Sequence, residues 1–83
     1  MLSIKFAEII NMKLTSAEEG KEYIIDMIET DDEELDAFLF SLGCYSGEPI
    51  TLIARRGKNY VVSIKDARYS IDSGLADAIT VLS

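Results

Sequence analysis

The 83-residue chain contains no histidine and no tryptophan, and it has only one cysteine and one proline. Without histidine it lacks the side chain that most often serves as a general base or as a ligand for a transition metal. A single cysteine, Cys44, cannot close an internal disulfide, which fits a reducing compartment. Positive charge is scarce too: Lys and Arg number 8 against 15 Asp and Glu, for a net charge of −7. A nucleic-acid binder needs a cationic surface to displace counterions from phosphates, so this balance argues against that role, and against adsorption to anionic lipid. No apolar run reaches the roughly 20 residues needed to span a bilayer. The opening "MLSIKFAEIIN" is interrupted by Glu8 and has no cleavage-site pattern, so it does not read as a signal peptide. These features lead us to expect a cytoplasmic protein without direct membrane insertion.

A hydrophobic fraction of 48% with 28% charged residues is an ordinary globular balance. The length suits one domain, 1–83, whose small core implies modest stability. Ile4 to Ile10 is apolar and fits a strand or a short helix. In "EYIIDMI", Tyr23, Ile25 and Met27 alternate onto one face of a predicted strand, with Ile24 and Ile28 on the other. "TDDEELDAFLFSLG" places Leu35, Phe38, Leu39 and Leu42 at i, i+3, i+4 and i+7, which predicts a helix from about Asp32 to Leu42 with that stripe buried. Thr30 and Glu33 fit a capping box, the carboxylates of the first turns suit the positive end of the helix dipole, and Gly43 suits the helix stop. Beyond it, "PITLIARR", "YVVSI", "RYSID" and "ITVL" read as short strands. "DSGLADA" reads as a single helical turn capped by Asp72 or Ser73. Short antiparallel strands around one helix predict a small β-barrel of five to six strands.

Four groups of residues are of the types that build sites. Gly43 and Gly47 leave a helix and enter a strand, so they lack the helix N-terminus on which a phosphate loop depends and read as turn residues. Cys44 has neither a second cysteine nor a histidine to complete a zinc site and reads as a buried, inert thiol. The acidic run Asp31, Asp32, Glu33, Glu34 and Asp36 lacks calcium-loop spacing and reads as helix capping. Arg55, Arg56 and Lys58 form a local basic patch which, with Tyr45, Ile53 and Tyr60, is the candidate partner-binding surface. No catalytic constellation, cofactor motif or metal-ligand set emerges, and the expectation is a non-enzymatic protein.

From Met12 to Val81 the order of these features resembles the FeoA family, ferrous iron transport protein A. The resemblance rests on Leu14, on Gly20 ahead of "KEYIIDMI", and on Leu42-Gly43, Ser46-Gly47 and "EPITLI". It is completed by Leu75-Ala76, Ile79 and Val81 near the end. Ser46 stands where the family usually has proline, Asp66 where a turn glycine is common, and residues 1–11 form an N-terminal extension or an extra strand. The resemblance implies an SH3-like barrel with an inserted helix. It also implies an accessory or regulatory module that docks on the cytoplasmic part of a FeoB-type ferrous iron transporter. Two alternatives stay open: a metal-responsive SH3-like domain that binds or senses a transition metal ion, and a homo-oligomeric module, weakly associated through its strand edges.

Overall fold

A computed structural model describes residues 10–83. The segment read as a strand or short helix from Ile4 lies outside them, apart from the exposed Ile10. Strand β1 (Asn11–Lys13) leads into a 3-10 turn, Leu14–Ser16, and then β2 (Glu22–Ile28). Helix α1 (Glu33–Ser41) precedes β3 (Pro49–Arg56), β4 (Asn59–Ile64) and β5 (Ala67–Asp72). The short helix α2 (Ser73–Asp77) and β6 (Ile79–Leu82) close the chain. All strand pairs are antiparallel, in one six-stranded sheet of order β1-β6-β2-β3-β4-β5. The architecture is the expected SH3-like barrel.

The core is aliphatic. Leu14, Ile25, Leu39, Ile50, Leu52, Val62, Ile64, Ile79 and Val81 are at most 2% exposed. Strand β2 departs from simple alternation. Its register against β6 shifts between Ile25 and Met27, so Asp26 is an extra residue in a bulge. A bulge reverses the in–out parity beyond it. Met27, expected on the face of Tyr23 and Ile25, is therefore 45% exposed, and Ile28 packs against the core in its place. Strand β3 carries a similar shift between Leu52 and Ala54, which leaves Ile53 on a bulge.

Helix α1 starts one residue later than the predicted Asp32 and ends one before Leu42, and these two residues are its caps. Asp32 accepts hydrogen bonds from the N–H groups of Glu34 (2.9 Å) and Leu35 (3.4 Å). The Thr30–Glu33 capping box does not form. Instead the Thr30 hydroxyl accepts from the Asp32 N–H (3.1 Å) and donates to the Asp36 carboxylate (2.5 Å). At the other end, Gly43 N–H donates to Phe40 C=O (3.0 Å) and Cys44 N–H to Leu39 C=O (2.9 Å). This is a Schellman stop, with Gly43 at φ +91°.

The expected burial of the whole α1 stripe is not what the helix does. Leu39 is buried and Leu42 half-buried, but Leu35 is 39% and Phe38 50% exposed, and off the stripe Phe40 reaches 64%. Helical spacing fixes which residues share a face and does not supply the layer that covers it. Leu39→Ala is expected to cost about 2–5 kcal/mol in urea unfolding, as for a core leucine. Phe38→Ala is expected to cost about 1 kcal/mol or less, as for a surface position. Equal losses would place Phe38 in the core after all.

Candidate functional site

The six candidate residues do not form one patch. Arg55, Arg56 and Lys58 lie at the β3–β4 turn, whose closing pair is Arg56 and Asn59. Tyr45 lies before β3, near the far end of the same hairpin, where Lys65 Nζ sits 5.5 Å from its ring centroid. Six or seven strand residues at about 3.3 Å each put roughly 20 Å between the two places.

At the turn, the basic residues differ in their freedom. The Arg55 guanidinium donates to the carbonyls of Thr15 (3.1 Å) and Ala17 (2.8 Å), and its backbone N–H donates to the Glu19 carboxylate (2.8 Å). It also lies 5.3 Å over the ring of Tyr60, which is only 7% exposed. Arg55 and Tyr60 thus tie the segment after β1 to the β3–β4 hairpin. Ile53 is half-buried on its bulge. Arg56 and Lys58 are exposed and make no ion pair among the described residues.

Around Tyr45 the chemistry is different. Its ring lies 4.8 Å from that of Phe40, and Lys65 Nζ contacts Glu48 at 2.7 Å. The hydrogen bond to Glu48 raises the Lys65 pKa. Beside Phe40 and Tyr45 a groove of about 310 Å³ opens between β2 and α1, with Asp26, Met27 and Asp36 also on its walls. Phe38 is exposed elsewhere on α1, and Leu35 lines a separate groove of about 450 Å³ with Asp31, Asp72 and Leu75. Sequence reasoning missed the exposure of Leu35 and Phe38 because their stripe is the same pattern that marks a buried helix face.

The turn reading of the two glycines holds. Glu48 N–H donates to Tyr45 C=O (3.1 Å) around Gly47 at φ +93°, as in a type II turn. Ser46 then occupies the turn position that proline favours, next to a glycine that must be left-handed. Cys44 is buried, and burial pushes its thiol up to about 11. It stays protonated near neutrality and is a poor nucleophile or ligand there. Among the described residues no group of three or more Asp, Glu or Cys side chains is placed to hold a metal ion. No helix among them is long and apolar enough to cross a membrane.

The fold is a small SH3-like barrel with an inserted helix. The FeoA domain model matches residues 12–82, and the chain belongs to that family. No match is found among curated proteins. Among solved structures, a manganese-dependent transcriptional repressor superposes with a TM-score of 0.82 at 23% identity, over 93% of this chain and 44% of the repressor. The chain thus spans less than half the length of that repressor. An iron uptake regulatory protein, FeoA, superposes with a TM-score of 0.78 at 22% identity, over 87% of this chain and 96% of the other. FeoA of Stenotrophomonas maltophilia, solved with zinc, superposes at 0.76 with 17% identity, over 84% of this chain and 88% of that one. That protein is described as an SH3 domain protein and a candidate ferrous iron transport activating factor.

The buried thiol generates a pH prediction. A folded-state pKa above the unfolded value means that the folded chain holds the proton longer, so stability is full below the unfolded pKa and declines as pH rises towards 11. The urea midpoint is expected to fall between pH 8 and pH 10, a window below the Lys65 titration, and Cys44→Ala should flatten that fall. An unchanged slope in Cys44→Ala would assign the effect to another group.

Proposed function

We propose that this chain is a non-enzymatic accessory of ferrous iron uptake that acts by docking on the cytoplasmic part of a FeoB-type transporter. The observation that carries this reading is the FeoA domain match across residues 12–82. A module without catalytic groups acts on its partner by binding one of its states better than another. The groove between β2 and α1 supplies what such docking needs: exposed Phe40 and Met27 beside Tyr45 for burial, with Phe38 exposed elsewhere on the same helix, and the carboxylates of Asp26 and Asp36 to steer a basic partner surface. The β3–β4 turn is the second candidate, carried by Arg56 and Lys58 and suited to an acidic partner surface, while Arg55 and Tyr60 support it from within.

Co-purification with the transporter's cytoplasmic region separates the two surfaces. Phe38→Ser with Phe40→Ser is expected to abolish capture without unfolding the domain, and Arg56→Glu with Lys58→Glu to leave it nearly unchanged. The opposite pattern would move docking to the turn, and full capture by both variants would sink both surfaces.

The likeness to a manganese-dependent repressor favours one other reading, a domain that senses a metal itself. Calorimetric titration with ferrous ion under anaerobic conditions is expected to show no site tighter than about micromolar, because hard carboxylates are the only abundant ligands. A stoichiometric nanomolar site would replace the accessory reading with metal sensing.

A further inference from the structure

Strand β5 ends the sheet, and among the described residues no strand pairs with its outer edge. Its geometry defines what that edge offers. Lys65 and Asp66 form a two-residue hairpin loop between the paired Ile64 and Ala67. The pair that closes such a loop is a hydrogen-bonded one, and bonded and non-bonded pairs then alternate along the ladder. Val62–Tyr69 and Tyr60–Ile71 therefore exchange bonds inside the sheet. The backbone N–H groups of Arg68, Ser70 and Asp72 point outward, to the open edge.

Side chains on this edge are ordered by face. Arg68, Ser70 and Asp72 are exposed, while Tyr69 and Ile71 lie on the core side. Arg68 has no ion-pair partner among the described residues. Asp72 uses Oδ1 to cap α2 through the Leu75 N–H (2.7 Å), which leaves Oδ2 available.

We propose that the chain self-associates by pairing β5 with β5 of a second copy, antiparallel about a two-fold axis through Ser70. In this register Ser70 faces Ser70 of the second copy, and Arg68 faces Asp72 of the second copy on each side of the axis. Tyr69 faces Ile71 of the second copy on the opposite face, so the apolar layer runs on across the junction. Opposite charges directly across an antiparallel pair stabilise it, and like charges oppose it. Neighbouring registers with the same bonding phase are worse. They set Arg68 against itself, Asp72 against itself, Asp72 against Asp66, or Ser70 against Asp72. The other edge is a poorer template: β1 has three residues, and its Lys13 is engaged with Asp77, whose carbonyl it reaches at 3.2 Å. The proposal does not rest on the docking reading.

Sedimentation equilibrium of the full chain, from low micromolar to millimolar concentration, tests this. A monomer–dimer equilibrium is expected, weakened by about tenfold or more in Arg68→Glu and in Ser70→Lys, which place like charges across the junction. Ser70→Pro removes an N–H that faces outward, so it should abolish the dimer while the thermal midpoint stays close to the parent's. Under oxidation Ser70→Cys should form a covalent dimer, because facing Cα atoms about 5.5 Å apart are within disulfide reach. Arg68→Cys should not, since its two copies would lie about 13 Å apart. A chain that stays monomeric at millimolar concentration would overturn the proposal. So would a dimer that survives Ser70→Lys and is not bridged in Ser70→Cys.

Discussion

Strand β2 is the constraint from which the rest of the architecture follows. Its first residues, Glu22 to Ile24, pair with β3, and Ile24 to Ile28 pair with β6. One strand thus belongs to two ladders and bends the sheet between them, with the Asp26 bulge supplying extra twist. The backbone of Ile25 also receives the chain returning from α1. Its carbonyl accepts from the Gly47 N–H (2.8 Å), and its N–H donates to the Glu48 carbonyl (2.9 Å). The helix insertion is therefore anchored at its exit, close to the centre of the barrel, and the helix itself is free to project.

That projection shapes what the domain offers to other molecules. Among the described residues, only Leu39 and the cap residues after it secure α1 to the core, and most of the helix's other apolar side chains are exposed there. At the other end of the β3–β4 hairpin, Arg55 is consumed by internal bonds to Thr15 and Ala17. Exposed apolar groups thus lie with acidic ones on the helix, and the exposed basic pair Arg56 and Lys58 lies at the turn. A small barrel has too little interior to bury every hydrophobic side chain it carries, and the excess is available for recognition.

Much of the fold was legible in the sequence because turn chemistry and alternation are local. Gly43, Gly47, Asp72 and the strands from Pro49 onward fell where their residues placed them. The faces of β2 were not legible, because nothing in "EYIIDMI" marks Asp26 as the inserted residue and each position beyond it changes side. For the candidate surface the limits were tertiary. Tyr45 and Arg55 are near in sequence but end up at opposite ends of a hairpin, and the partners of Arg55 lie about 40 residues earlier in the chain. Helical periodicity grouped Leu35 with Phe38 correctly, but what covers a face depends on elements remote from it.

The β4–β5 turn ties these distant parts together in a way that bears on how the domain opens. Lys65 and Asp66 both adopt positive φ, 50° and 68°, which costs energy for residues with a side chain. The stem of Lys65 crosses the bare backbone of Gly43, in space that a Cβ there would enter at 2.7 Å, and its ammonium reaches Glu48. A strained turn is thus held by a side chain laid over the stop of a helix more than twenty residues earlier. Releasing Lys65 would loosen the helix exit and relax the turn in one motion, so α1 and the β4–β5 hairpin should exchange their amide protons as one cooperative unit.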